Sequence, residues 1–135
     1  MTTDDMQDYA TSCSALVTAG IDHVRLVYAY LAEGDLDGYL SLLDSDMTVH
    51  PPGRPSVRGR EAVAALRRTQ LRGHSMQCTV SDVYADGRTV VVVGRYSGDA
   101  LHGYHVDVDF CDIYAIAPSG LLLSQKTFFS VPPPA

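Results

Sequence analysis

The sequence predicts an α+β fold, in which three N-terminal helices pack on one face of a curved, mainly antiparallel sheet. Apolar residues recur at helical spacing in the first half of the chain, whereas from His74 onward they alternate with the period of two that is typical of strands. Helices come first and strands afterwards, without the regular strand and helix alternation of a parallel sheet. This order favours an α+β arrangement.

The length and composition predict one domain. The chain has 135 residues, of which 46% are hydrophobic, and this is enough for one core. Residues 1–13 are polar and aperiodic, and we expect a flexible N-terminal arm or an extra helical turn there. The domain itself is expected over residues 14–131, and residues 132–135 form a proline-rich tail.

The helices are predicted from apolar spacing and capping residues. A largely buried helix is expected over residues 14–32. Gly34 suits its end, and Asp35 suits the N-cap of a second, short helix. The third helix, "GREAVAALRRTQLR", is expected to turn Val63 inward and its arginines outward.

Turn residues delimit the strands. A short strand from Met47 to His50 runs directly into Pro51 and Pro52. Beyond His74, the Asp86-Gly87 hairpin turn and the Pro118-Ser119-Gly120 turn separate segments with strand patterning. These segments predict a four-stranded antiparallel meander.

Charge and cysteine content restrict the class of function. The net charge of −6 opposes nucleic acid as the main partner. Three widely spaced cysteines, Cys13, Cys78 and Cys111, suggest neither a disulfide framework nor a zinc site. The N-terminus is acidic, and the longest aliphatic run, Val90–Val93, is far too short to span a bilayer. We therefore expect a soluble, cytoplasmic protein without nucleic acid or membrane partners.

Asp112 stands out in the strand that precedes the last turn. Alternation sorts that strand onto two faces. Asp112 is a lone carboxylate on a face that is otherwise apolar and aromatic, with Tyr104, Val106, Val108, Phe110, Tyr114 and Ile116. Burial would raise its pKa, and a protonated carboxyl can donate a hydrogen bond to an oxyanion. The alternative is a structural Asp that bonds a neighbouring amide or tyrosine.

The opposite face of the same strand carries His105, Asp107 and Asp109. Residues two apart on a strand lie roughly 6.6 Å apart, which is too far for three of them to converge easily on one ion. We therefore expect a solvent or dimer-rim role for them and no metal site.

Three signatures in order resemble one known fold family. They are the "GDLDG" helix junction, the segment from "DMTVHPPG" to "GREAV", and "DIYAIAPSGL" near the end. Over about residues 15–131 the chain is similar to the cone-shaped fold of nuclear transport factor 2, ketosteroid isomerase and the SnoaL-like polyketide cyclases. The SgcJ-like subgroup of antibiotic biosynthesis is also similar.

The resemblance implies site residues position by position. In the steroid isomerases a protonated Asp and a tyrosine hold the oxyanion, and Asp112 falls at that Asp position; this enzyme is a standard example of a neutral carboxylic acid in catalysis. The base position falls on Pro51, beside His50, and the tyrosine position falls on Val27, beside Tyr28. SnoaL-like cyclases imply a general acid/base pair acting on an acidic C–H or a phenol, without a cofactor.

The candidate catalytic residues are therefore Asp112 and His50, where His50 is the best general base if it faces the cavity; otherwise it is a strand-end residue in solvent. The candidate substrate-binding residues are Tyr28, Tyr96, Phe110, Tyr114, Gln125 and Phe129. Tyr28 is alternatively a core aromatic whose hydroxyl is satisfied.

Three functions remain open at this point. The first is an isomerase or cyclase that acts on a small, apolar, carbonyl-bearing or phenolic metabolite of secondary metabolism. The second is a protein that binds or shields such a ligand without chemistry. The third is an interaction module that dimerises through the outer sheet, and a homodimer is compatible with all three.

Overall fold

A computed structural model describes residues 3–71, 75–99 and 105–130 of the chain. The helices are α1 (Thr3–Glu33), α2 (Leu36–Ser41) and α3 (Arg60–Leu71). The strands are β1 (Leu43–His50), β2 (Val57–Arg58), β3 (Ser75–Asp86), β4 (Thr89–Asp99), β5 (His105–Ile116) and β6 (Leu122–Phe129). The predicted α+β class with three helices against a curved sheet is confirmed.

Helix α1 is longer than predicted. Its backbone is helical from Thr3, so it includes most of the segment for which we expected an arm. That segment contains neither Gly nor Pro, the residues that most disfavour a helix. Missing apolar periodicity was therefore a poor guide to where this helix begins.

The junction of α1 and α2 follows the capping prediction. Gly34 adopts a φ of 71°, its N–H donates to Leu31 O, and the Asp35 N–H donates to Tyr30 O at 2.8 Å. These two bonds form the Schellman motif, which requires the left-handed conformation that glycine adopts without cost. The Asp35 carboxylate then accepts from the Gly38 N–H at 2.9 Å and caps α2.

The sheet is larger than the predicted meander. It has six strands in the order β2-β1-β6-β5-β4-β3. Strands β3 to β6 are antiparallel neighbours as expected, but β1 lies parallel to β6, with His50 beside Lys126. The two-residue strand β2 was not predicted because so short a segment carries no periodicity.

The core lies between the helices and one face of the sheet. Helix α1 approaches closely at Gly20, where a Cβ would lie 2.9 Å from Ile116 Cγ1, and His23 Nδ1 lies 2.7 Å from Gly120 O in the β5–β6 turn. The fully buried side chains include Val24, Val27, Tyr39, Leu43, Met47, Val49, Val63, Val90, Val92, Phe110, Tyr114 and Leu122. One carboxyl group, that of Asp112 on β5, is also fully buried beside this core.

Candidate functional site

The buried carboxyl of Asp112 is the centre of a hydrogen-bonded cluster. Its exposed fraction is 0%, and the predicted sorting of β5 into two faces is confirmed for the described residues, with Phe110, Tyr114 and Ile116 also buried. Tyr104 lies outside the described residues. The Tyr28 hydroxyl of α1 donates to Asp112 Oδ2 at 2.6 Å, and the Thr127 hydroxyl of β6 donates to Oδ1 at 2.5 Å.

The cluster continues through Tyr28. The Tyr114 hydroxyl donates to the Tyr28 hydroxyl at 2.9 Å, so a chain of donors runs from Tyr114 through Tyr28 to Asp112. Tyr28 thus takes the place beside the carboxyl, while Val27, at the position implied by the resemblance, is buried in the core at 1% exposure. Helical geometry explains the difference, since consecutive residues point about 100° apart.

Arg67 enters the same interior from α3. Its side chain is 9% exposed, and it donates from Nε to the Tyr39 hydroxyl at 3.0 Å and from Nη2 to Gln125 Oε1 at 2.6 Å. Because Arg67 occupies the oxygen of this amide, Gln125 presents its NH₂ to Asp112, with which it is hydrogen-bonded. Gln125 itself is 4% exposed.

The expectation that the arginines of α3 face outward is wrong for Arg67. Arg67 follows Val63 by four residues, and both therefore lie on the inward face of the helix. That spacing was visible in the sequence, but the positive charge argued for solvent. The structure resolves the conflict by giving the guanidinium three hydrogen-bond acceptors, Tyr39, Gln70 and Gln125.

Burial controls the protonation of this cluster. Desolvation raises the pKa of Asp112 above its ordinary value, although the donors Thr127, Tyr28 and Gln125 and the positive charge of Arg67 act in the opposite direction. Desolvation likewise raises the pKa of Tyr28 and of Tyr114, so both hydroxyls keep their protons. Tyr28 and Tyr114 are therefore neutral hydrogen-bond donors, and burial favours the protonated form of Asp112.

Aromatic side chains form the wall next to the cluster. Tyr96 packs on Phe110 with ring centroids 4.5 Å apart, and it meets Phe129 edge to face at 5.8 Å. Tyr28 also packs against Phe110, at 6.1 Å. The six predicted substrate-binding residues thus lie in one connected set, in which Phe129 is the most exposed at 41%.

A concavity of about 350 Å³ lies between α1 and β3 and reaches this cluster. Its lining includes Arg25 and Tyr28 from α1, and Val80 to Val83 from β3, where the β3–β4 register shifts. Strand bulges often re-aim residues next to binding sites. Tyr28 is thus the member of the cluster that lines this concavity.

His50 lies elsewhere. Met47 and Val49 are buried in β1, so alternation places His50 on the other side of the strand, and the register sets it beside Lys126 on β6. His50 lines a groove of about 480 Å³ with the turn after β1 and the end of β6. This groove shares no lining residue with the α1–β3 concavity.

The charged side chains on the outer face of the sheet pair with one another. Arg95 donates to Asp107 at 2.5 Å and to Asp109 at 3.0 Å, and His105 lies 3.4 Å from Asp99. The three side chains that might have suggested a metal site are therefore engaged in exposed ion pairs. Among the described helices, none combines the length and hydropathy needed to cross a membrane.

The fold and this interior cluster agree with one protein family. The sequence model of the SnoaL-like domain matches residues 24–123, most of the chain. The protein therefore belongs to the SnoaL-like family, of the nuclear transport factor 2-like fold. Among curated proteins, none matches this sequence significantly.

Solved structures show the same fold at low sequence identity. A protein from Jannaschia sp. CCS1, assigned as a SnoaL-like polyketide cyclase, is 19% identical with a TM-score of 0.77, covering 85% of this chain and 88% of its own. An LEH-like epoxide hydrolase of M. tuberculosis is 19% identical with a TM-score of 0.74, covering 84% of both chains. Rv0760c from Mycobacterium tuberculosis, in complex with estradiol-17beta-hemisuccinate, is 15% identical with a TM-score of 0.73, covering 84% and 95%.

Proposed function

We propose that this protein is an isomerase or cyclase that moves protons on a small, apolar, carbonyl-bearing or phenolic metabolite of the polyketide type. The observation that carries the proposal is the fully buried Asp112 carboxyl, with the Tyr28 hydroxyl 2.6 Å from its Oδ2. Such a pair suits the stabilisation of negative charge that develops on a substrate oxygen. The steroid hemisuccinate held by Rv0760c supports a small-molecule ligand in a fold of this kind.

In the proposed reaction the donors act on the substrate oxygen. In the structure the Tyr28 hydroxyl donates to Asp112 Oδ2. With a ligand bound we propose that this bond reverses: burial raises the pKa of Asp112 and favours its protonated form, which then donates to the Tyr28 oxygen. The Tyr28 hydroxyl then turns its own hydrogen towards a ligand in the α1–β3 concavity, which it lines. Tyr114 donates to the Tyr28 oxygen and holds it in place.

A base removes the proton from the carbon next to the carbonyl. The electron pair of that C–H bond forms the enolate, whose oxygen accepts from Tyr28. Isomerisation returns the proton to another carbon. In cyclisation the enolate carbon attacks a second carbonyl of the same molecule, whose π electrons move to oxygen, and the resulting alkoxide takes the proton back from the base. His50 lines the β1–β6 groove and not the α1–β3 concavity, so it is our candidate base only for a substrate that reaches both sites.

The experiment is the exchange of hydrogen for deuterium in 2-tetralone, a small apolar ketone with acidic C–H bonds, followed by proton NMR in D₂O. We expect the protein to accelerate exchange over buffer. Asp112→Asn and Tyr28→Phe should each lower the rate about 10²-fold, the order of effect of one oxyanion donor. His50→Ala should lower it by a similar factor, as expected for a general base.

The matched control is Asp109→Asn, on the outer face of the same strand, which should exchange at the wild-type rate. If the wild-type protein gives no acceleration, or if His50→Ala and Asp112→Asn both leave the rate unchanged, the catalytic assignment fails.

A second candidate is a protein that binds such a ligand without chemistry. The observation that favours it is that protein donors, Tyr28, Thr127 and Gln125, already satisfy the Asp112 carboxyl. Binding of 2-tetralone, seen as line broadening of its proton signals, without any exchange above buffer would support this candidate over the first.

A further inference from the structure

The groove that contains His50 is lined by basic and aromatic residues, whereas the protein as a whole is acidic. The turn that follows β1 forms one side, and the end of β6 forms the other. With a volume of about 480 Å³ it falls within the range that small-molecule ligands occupy. Its lining includes His50, Arg54, Lys126, Thr127, Phe128 and Phe129.

The charges in this groove are of one sign. Arg54, Lys126 and the titratable His50 line it, and no carboxyl group is among the residues that do so. The whole chain, by contrast, carries a net charge of −6. Within the part of the chain that the structure describes, none of the ion pairs includes these three side chains, whereas the nearby Arg58 is paired with Asp46 at 3.4 Å.

An exposed aromatic ring accompanies the positive charge. Phe128 is 46% exposed and lies on the same face of β6 as Lys126, whereas Phe129, 41% exposed, turns to the other face and meets Tyr96. The Lys126 ammonium lies 5.2 Å from the centroid of Phe128, which holds the charge beside the ring. A ligand that fits this surface needs an apolar ring for Phe128 and a negative group for the cations.

We propose that this groove is a binding site for a small aromatic anion, a carboxylate or an ionised phenol or enol. The ring packs on Phe128, and the anionic group lies between Arg54 and Lys126. Thr127 also lines the groove, and its hydroxyl donates to Asp112 on the inner face of β6, so the groove and the buried carboxyl share one strand. That the anion is also the substrate rests on the proposed function; its binding does not.

Two probes that differ only in charge test the proposal. Isotope-labelled protein is titrated with 2-naphthoate and with its neutral analogue 2-naphthamide, and dissociation constants are taken from the amide shifts. We expect 2-naphthoate to bind more tightly, to shift the amides of residues 53–54 and 126–129, and to weaken as salt is added. Phe128→Ala should weaken both probes.

Variants of the basic residues give the sharper comparison. Arg54→Gln and Lys126→Gln should each weaken 2-naphthoate about threefold, and together about tenfold, with little effect on 2-naphthamide. The matched control is Arg58→Gln, which removes the same charge four residues from Arg54 but outside the groove lining.

Equal affinity for the two probes, or an equal loss of 2-naphthoate binding in Arg58→Gln, would overturn the proposal. Its failure is distinct from that of the catalytic assignment, because 2-tetralone is neutral and its exchange is tested at Asp112. If the protein accelerates exchange in 2-tetralone but does not prefer 2-naphthoate, only the proposal of an anion site in the groove is refuted. The converse result refutes only the catalysis.

Discussion

At the scale of single residues, Asp112 has the environment that its position in the strand predicted. Alternation alone placed it on the apolar face of β5, and the structure confirms complete burial. Its partners were less predictable. Tyr28, Thr127 and Gln125 come from α1 and β6, and their convergence depends on how that helix crosses the sheet.

The raised pKa of Asp112 makes stability depend on pH in a defined direction. Between its ordinary value of 3.8 and its value in the folded protein, the folded state keeps a proton that the unfolded state loses. The free energy of unfolding therefore falls as pH rises through this window and is not restored above it. The groups that face Asp112 from neighbouring elements are Tyr28, Tyr96, Arg67 and Cys78.

We expect Asp112→Asn to lack this contribution. Urea unfolding between pH 4 and 8 should show the stability of wild-type protein declining relative to the variant as pH rises. Asp109→Asn changes an exposed carboxylate, and the stability of the wild-type protein should not decline relative to this variant as pH rises. A difference between wild type and Asp112→Asn that is constant across this range would contradict the raised pKa.

At the scale of elements, α3 is fastened to the sheet by a charged side chain. Val63 and Ala64 supply apolar contact, but Arg67 reaches across to Gln125 on β6 and to Tyr39 on α2. The Arg67 guanidinium also lies 5.2 Å from the centroid of the Tyr39 ring. One residue therefore joins two helices to the strand that carries Thr127.

Arg67→Met should lower the free energy of unfolding by about 3 kcal/mol. The substitution keeps most of the apolar volume but leaves the buried Tyr39 and Gln125 oxygens without their donor. The neighbouring Arg68→Met, at an exposed position, should change it by less than about 0.5 kcal/mol. Urea denaturation of both variants measures the difference, and similar values for the two would refute the role of Arg67.

At the scale of the whole molecule, the outer face of the sheet is the surface we expect to pair two copies. Tyr84 and Ile113 are exposed there at 57% and 37%. Ile113 lies between Val91 and Lys126 in the strand register, near the middle of this face. We propose a homodimer through this surface, as the sequence already suggested.

Ile113→Lys should convert the dimer to a monomer, because it places two like charges in a buried apolar contact. Light scattering at micromolar concentration should give twice the chain mass of 14.6 kDa for wild type and the chain mass for the variant. Leu71→Lys, an equally exposed apolar site on α3 at 39%, is the control and should remain dimeric. A monomeric wild-type protein would contradict the proposal.

Local pattern determined much of this protein. Apolar periodicity, the Gly34 and Asp35 caps and the turn residues were sufficient for the class of fold and for most elements, since each depends on neighbouring residues alone. The two faces of β5, and so the burial of Asp112, followed from a period of two.

Only the tertiary structure decided what depends on distant elements. The parallel pairing of β1 with β6 placed His50 beside Lys126 in a groove rather than next to Asp112. The inward turn of Arg67 depended on acceptors from α2 and β6, which no local pattern reveals. The physical reason is the same in both cases: strand pairing and the solvation of a buried charge are set by groups far away in sequence, whereas periodicity reports only which side of an element faces the core.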